Sequence, residues 1–543
     1  MTPLSYAHGA CAIPLLGETI GANLLRTVER FGDRDALVVR HQNFRATYRE
    51  LWELVSLAAR GLLARGVKTG ERVGVWAPNR FEWVVLQYAT ARIGAILVNI
   101  NPAYKAVDLE YAINKSGVSL LCLARGFRQT DYIAILAEVR DRCPQLRDTL
   151  VIDTEWEALL ADANSVSEVA LTAIETRLQF DDPINIQYTS GTTGFPKGAT
   201  LSHHNILNNA YFTSERLGYT ERDRVCIPVP FYHCFGMVLG NLGCTTRGAC
   251  IVVPDESFDP RSVLETVQAE HCTSLYGVPT MFIAELNHPR FAEFDLSSLR
   301  TGIMAGAPCP VEVMKQVQSL MHIREITGVC GMTETSPTAT QNDRDDPLEK
   351  RVGTVGRPAP HAEIKIIDPA TGEVVPRGVA GEQCTRGYLV MLGYWEDPDA
   401  TRKAIDSAGW MHTGDLAVMD NEDYVSIVGR LKDVIIRGGE NVYPREVEEF
   451  LHTLPDVAEA QVIGVPCEKY GEEVMAWVRL QVGAKRTGDD LRDACHGRIA
   501  TYKIPRYWKF VNAFPMTVTG KVQKYRLREL ATAELLAHST SSS

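Results

Sequence analysis

Short apolar runs that alternate with helix-length amphipathic stretches constrain this chain most, because that rhythm buries strands of a parallel sheet beneath crossover helices. Thr47-Tyr48-Arg49-Glu50 has capping-box spacing, and Leu51, Leu54, Val55, Ala58 and Leu62 recur at helical intervals as far as Gly66. A β-prone run over 72–77 follows, stopped by Pro78, then a helical stretch over 81–94 and a second run over 95–99. This is the pattern of a βαβ unit. It returns at 120–123, 150–152, 249–253 and 274–277, where continuous apolar runs bounded by turn residues suit strands covered on both faces. Over 363–393 glycines interrupt alternating β-prone and polar residues, which predicts a β-rich subdomain. After Asp433 the pattern resets: 445–454 reads as an amphipathic helix, and 460–463 and 474–478 as strands of a separate small α+β domain.

With 45% hydrophobic and 23% charged residues in 543, disorder, collagen and a small disulfide scaffold are excluded. The net charge of -11 disfavours a nucleic-acid protein, which needs a basic footprint over many phosphates. An anionic small molecule held by local cations is still allowed. Thirteen cysteines, an odd number without any C-x-x-C spacing, suggest reduced thiols and neither a disulfide framework nor a zinc cluster. No run approaches the roughly 18 apolar residues of a membrane span, so no integral membrane segment and a cytoplasmic location are expected. The acid excess belongs to the larger part, since residues 433–543 carry fifteen basic and fifteen acidic side chains. Within them, 494–528 has no Asp or Glu but holds Arg498, Lys503, Arg506, Lys509, Lys521, Lys524, Arg526 and Arg528. Taken alone, such a stretch reads as a solvated face.

The densest chemical signal is Tyr188-Thr189-Ser190-Gly191-Thr192-Thr193-Gly194-Phe195-Pro196-Lys197-Gly198, after a strand-like 184–187 and before a helix that Ser202 would cap. Glycines let backbone N–H groups turn toward an anion, hydroxyls add donors and Lys197 adds charge, which together suit a polyphosphate. A Walker A loop is excluded, because Pro196 precedes the lysine and Gly198 follows it.

This loop, with further motifs in matching order along nearly the whole chain, resembles the adenylate-forming superfamily of acyl-CoA synthetases, peptide-synthetase adenylation domains and luciferases. Phe231-Tyr232-His233-Cys234-Phe235-Gly236 is similar to the family's aromatic/His motif, Ala305-Gly306-Ala307-Pro308 to the segment backing the adenine, and Gly331-Met332-Thr333-Glu334 to the next nucleotide motif. Trp410-Met411-His412-Thr413-Gly414-Asp415, Gly429-Arg430-Leu431-Lys432-Asp433, Arg437-Gly438-Gly439-Glu440-Asn441 and Thr519-Gly520-Lys521 complete the set. The resemblance implies an α/β fold. Residues 1–431 would form a large N-terminal domain of βαβ subdomains plus the β-rich part, and 432–543 a small mobile α+β C-terminal domain pivoting at Lys432.

It also implies a two-step reaction: a carboxylic acid attacks the α-phosphorus of ATP to give acyl-AMP and pyrophosphate, and CoA then displaces AMP. Such a step needs charge neutralisation and alignment more than a general base. In that scheme Thr189, Ser190, Gly191, Thr192, Thr193, Gly194 and Lys197 hold the β- and γ-phosphates, Thr333 donates to the α-phosphate, and Glu334 holds Mg²⁺. Gly306, Ala307, Pro308, Cys330, Gly331 and Met332 surround the adenine. Asp415 accepts from the ribose hydroxyls, supported by Arg430. Lys521 is the catalytic lysine that bridges carboxylate and α-phosphate, His233 contacts substrate at the acyl pocket, and Gly438 and Gly439 line the CoA path after a second domain closure. Cys330 departs from the pattern, since the family usually has Tyr there to stack on adenine.

Leu4-Ser5-Tyr6-Ala7-His8-Gly9 and the stretches over 183–187 and 230–234 are most similar to the medium-chain fatty-acyl-CoA synthetase branch that includes acyl-CoA synthetase family member 2. No presequence precedes that start, so a bacterial cytosolic enzyme is expected, with a homodimer compatible. Chain length, branching and aromaticity of the acid stay open, as does a stand-alone adenylating enzyme or a nucleotide sensor. A peptide-synthetase domain is disfavoured, because residues 229–236 contain no acid to pair a substrate amine.

Overall fold

The computed structural model describes residues 3–189, 196–307, 309–516 and 522–540. Thr47 caps the helix Tyr48–Ala64 through a complete capping box, and Leu51, Val55, Ala58, Ala59 and Leu62 are fully buried along one stripe. Each buried leucine there contributes about 1.5–3 kcal/mol.

Three sheets build the larger part. The first orders Gly393–Tyr394, Lys197–Ser202, Pro183–Thr189, Ile96–Asn99, Arg72–Trp76, Val118–Leu123 and Asp148–Val151. Its last five strands are parallel and its first two antiparallel. The second has a parallel centre, from Asp35–Val39 through Cys250–Val253, Arg224–Cys226, Ser274–Gly277 and Thr301–Ala305 to Glu325–Gly331. Antiparallel strands flank this centre, Phe44–Thr47 at one end and Thr338–Gln341 followed by Arg357–Pro358 at the other. The third is the expected β-rich unit, antiparallel throughout, formed by Tyr6–His8, Ala362–Ile367, Gly381–Gly387, Met411–Met419 and Val425–Arg430.

Beyond these, the long hairpin Val457–Cys467 and Gly471–Leu480 accepts Tyr507–Phe510 in parallel and carries the helix Pro444–His452. Two apolar clusters, around Val462 and Trp477, draw only on residues from 435 onward.

Local readings differ from the structure in places. Ile152 opens the helix Ile152–Asp162 and does not end a strand. Between the glycine-rich segment and the helix that Ser202 caps as expected, the structure adds a strand, Lys197–Ser202, antiparallel to Pro183–Thr189 with Thr189 opposite Lys197. The acid-free stretch is not merely a solvated face, because acids elsewhere in the same part pair it. Lys503 meets Glu446, Lys509 meets Glu534, Lys524 meets Glu448 at 2.6 Å, and Arg528 approaches Asp433 at 3.6 Å. Among the described residues no helix is long and apolar enough to cross a membrane.

Candidate active site

The site is organised by the helix His203–Arg216. Ser202 Oγ accepts from the Asn205 N–H and Asn205 Oδ1 from the Ser202 N–H, which fixes the helix start. One turn further on, Asn209 both donates to the Thr338 carbonyl at 2.9 Å and accepts from the Thr338 N–H at 3.0 Å. This anchors the far side of the turn Thr333–Thr335. The near side is pinned by Gly331, where a Cβ would stand 1.7 Å from the Pro337 carbonyl oxygen. Only glycine permits that approach.

Thr333 and Glu334 are thereby held buried. Glu334 Oε1 accepts from the Tyr394 hydroxyl at 2.8 Å and the Thr189 hydroxyl at 3.3 Å. Lys197 Nζ stands 5.0 Å from the centre of the Tyr394 ring. Tyr394 thus stands between Lys197 and Glu334, and Thr189, opposite Lys197 in the hairpin, reaches the same carboxylate. Ser190, Gly191, Thr192, Thr193 and Gly194, together with Pro308 and Lys521, lie outside the described residues. A buried carboxylate beside a threonine hydroxyl is a hard-oxygen donor set, of the kind Mg²⁺ takes alongside phosphate oxygens, so the residues fit that ion.

A second group forms where strands Met411–Met419 and Val425–Arg430 pair. Asp415 and Arg430 are opposite in register, with Arg430 Nε 2.8 Å from Asp415 Oδ1. The Asp415 charge raises the Arg430 pKa. The Lys432 pKa is lowered by burial and then by the Arg430 charge. Burial, and next the Asp415 charge, push the Cys330 thiol up to about 12, which keeps it protonated at neutral pH.

The turn carrying Asp415 is clamped by a neighbouring strand. Glu382 Oε1 accepts from the Gly414 N–H at 3.1 Å, and Glu382 Oε2 lies 3.0 Å from His412 Nδ1. Thr413 Oγ1 donates to the Gln383 carbonyl and accepts from the Asp415 N–H. Cys384 Sγ lies 3.6 Å from His412 Nδ1, so Glu382, Cys384 and His412 present three metal-type donors. The Glu382 carboxylate is engaged by the Gly414 N–H and by His412, so in this structure the trio forms a hydrogen-bonded clamp.

His233 is half-buried, and its Nδ1 accepts from the Phe235 N–H at 3.2 Å. Its carbonyl accepts from the N–H groups of Gly236 and Met237, opening a π-helix over Phe235–Leu242. A buried amide relay ties this motif to the phosphate strand. Cys234 Sγ donates to Gln187 Oε1, Gln187 Nε2 to Asn185 Oδ1, Asn185 Nδ2 to Asn99 Oδ1, and Asn99 Nδ2 to the Tyr232 carbonyl. A cavity of about 310 Å³ opens here, lined by Pro230, Tyr232, Phe258 and Met281, with Met516 reaching it from the C-terminal part. Met304 is not at this cavity; it is fully buried in a core cluster with Phe282 and Met314.

The remaining candidates occupy turns. Gly306 has a positive φ of 87° and is exposed, with Ala307 half-buried beside it, and Met332 is half-buried. Gly438, at φ 60°, donates its N–H to the Tyr470 carbonyl, while Gly439 faces open space. Sequence reasoning missed Tyr394 and Glu382, since each acts on a residue more than thirty positions away. The signal for Tyr394 was an aromatic residue closing the glycine-rich β segment.

Comparison with known proteins agrees with this geometry. The AMP-binding enzyme family matches residues 24–395 and the AMP-binding enzyme C-terminal domain residues 446–521. YngI of Bacillus subtilis, whose name assigns it provisionally to the acyl-CoA synthetases, is 48% identical over 95% of this chain and 97% of its own. The mitochondrial medium-chain acyl-CoA ligase ACSF2 of Danio rerio is 45% identical over 98% of this chain and 91% of its own. The crystal structure of ATP-bound MatB from Rhodopseudomonas palustris superposes with a TM-score of 0.84 at 30% identity, covering 95% of this chain and 99% of that one.

Proposed function

The chain belongs to the AMP-binding enzyme family and is an ATP-dependent acyl-CoA ligase forming AMP; we propose that its acid is a medium-chain fatty acid. The observation that carries the nucleotide reading is the buried Glu334 carboxylate held by the Thr189 and Tyr394 hydroxyls, with Lys197 over the Tyr394 ring. Similarity to a relative named as a medium-chain ligase supports the substrate class.

In the first half-reaction the fatty carboxylate attacks the α-phosphorus in line with departing pyrophosphate. Lys197, with Ser190, Thr192 and Thr193, neutralises the β- and γ-phosphates. Thr333 donates to the α-phosphate, and Lys521 bridges it to the incoming carboxylate as charge shifts between them. Glu334 would supply an oxygen ligand to Mg²⁺, which when bound would draw electron density from the phosphates. Asp415 accepts from the ribose hydroxyls and Arg430 keeps its carboxylate oriented. His233 and the neighbouring cavity receive the acid.

In the second half-reaction CoA displaces AMP after residues 432–543 reseat on residues 1–431, bringing Gly438 and Gly439 to the CoA path. We place the protein in the cytoplasm on its similarity to the bacterial YngI, a reading that cell fractionation tests.

The experiment is AMP formation with ATP, Mg²⁺ and CoA across acetate, C4 to C16 fatty acids, branched acids and aromatic acids. A maximum at medium chain is expected; a maximum at acetate or an aromatic acid refutes the substrate class. Lys521→Ala should abolish acyl-AMP formation yet leave thioester formation from supplied acyl-AMP largely intact. Equal loss of both removes Lys521 from its role.

A further inference from the structure

Tyr394 connects the two charged groups on which phosphate handling depends. Its hydroxyl donates to Glu334 Oε1 at 2.8 Å, and its ring lies under Lys197 Nζ at 5.0 Å. The residue is itself immobilised. Its N–H donates to Thr401 Oγ1, and its strand pairs with Lys197–Ser202, Tyr394 lying opposite Ala199. The same short segment grips both partners by backbone: the Met391 N–H donates to the Glu334 carbonyl, the Leu392 N–H to the Thr200 carbonyl and the Trp395 N–H to the Gly198 carbonyl.

We propose that Tyr394 is a positioning residue that orients the Glu334 carboxylate toward a divalent cation and sets its distance from Lys197. This rests on the reading of Glu334 as the magnesium ligand. With Oε1 accepting from the hydroxyls of both Tyr394 and Thr189, the carboxylate is fixed about its last torsion, and among the described residues no hydrogen bond reaches Oε2. A free glutamate side chain gives up rotamer freedom when it captures an ion; here that ordering is made in advance. Partners that orient a metal ligand typically change metal affinity by 10–100-fold when removed.

The test uses the full chain and isothermal titration of ATP with and without Mg²⁺. Tyr394→Phe keeps the ring beneath Lys197 and removes only the hydroxyl. Its Mg²⁺-dependent gain in ATP affinity should fall roughly tenfold, with metal-free ATP affinity and KM for the acid unchanged. In a Glu334→Gln background the same substitution should change nothing further. An unaltered Mg²⁺ response in Tyr394→Phe, with Glu334→Gln losing it, overturns the proposal alone. An unaltered response in Glu334→Gln overturns the reading of Glu334 and the proposal with it. A further loss in the double variant would mean that the hydroxyl acts elsewhere, which also overturns it. Thermal melting of each variant shows whether folding is kept.

Discussion

Replacing Glu382 by alanine isolates the clamp on the ribose turn from the residues proposed to touch nucleotide. Gly414, at φ 70°, gives the turn no intrinsic stiffness, so its shape depends on what holds it. Glu382 is 8% exposed and contributes two hydrogen bonds, from the Gly414 N–H at 3.1 Å and with His412 Nδ1 at 3.0 Å. A hydrogen bond to a charged group contributes about 1.5–3 kcal/mol. If half of one such bond's energy is lost to positioning Asp415, the next residue along, nucleotide affinity falls by about 0.75–1.5 kcal/mol, or roughly four- to twelvefold. Glutamine is the control. Its amide oxygen can accept from Gly414 and its amide N–H can face His412 Nδ1, so Glu382→Gln should lose less than threefold, on the order of 0.6 kcal/mol. Titration calorimetry of ATP against each variant, with melting curves to confirm folding, gives the answer. Wild-type affinity in Glu382→Ala, or equal weakening in both variants, refutes the reasoning: the first removes the clamp, the second makes charge and not geometry the cause.

Other outcomes follow from single contacts. Gly331→Ala forces a methyl group against backbone at Pro337 and Ala339, so it should cost at least about 3 kcal/mol in urea unfolding or displace the Thr333–Glu334 turn and weaken ATP binding. His203 is buried with its pKa drawn down from 6.5 to about 3, so the unfolded chain takes up a proton that the native chain refuses. Its contribution is intact above pH 6.5 and declines as pH falls toward 3, by up to about 1.4 kcal/mol per pH unit, and the urea midpoint of His203→Gln should vary less between pH 7 and 5. Cys330→Tyr supplies the ring that the family usually has at this position; a stack of about 1 kcal/mol would lower KM for ATP roughly fivefold, and no change would mean that the site already compensates.

Much of the fold was legible because strands buried on both faces leave continuous apolar runs, as in Arg72–Trp76, Cys250–Val253 and Ser274–Gly277. The capping box at Thr47 and Glu50 fixed a helix start to the residue. Boundaries blurred where strand ends turn polar, so that Val457–Cys467 is far longer than the run inside it. The strand before the glycine-rich segment and the helix capped by Ser202 were legible, whereas the strand Lys197–Ser202 between them, which contains the cap residue, was not. The π-helix Phe235–Leu242 left no trace in a run that is apolar throughout. In the site, residues within one motif could be read, whereas the Tyr394–Glu334 and Glu382–Gly414 bonds depend on strand register and could not.

The internal pairing of Lys503, Lys509, Lys524 and Arg528 has a consequence for the catalytic cycle. A body that balances its own charges can change its seat on a neighbour of excess negative charge with little uptake or release of small ions. On the proposed mechanism, added salt would then act mainly on the phosphate contacts proposed for Lys197 and Lys521, and the ionic-strength dependence of each half-reaction would report nucleotide handling with the proposed domain movement nearly silent.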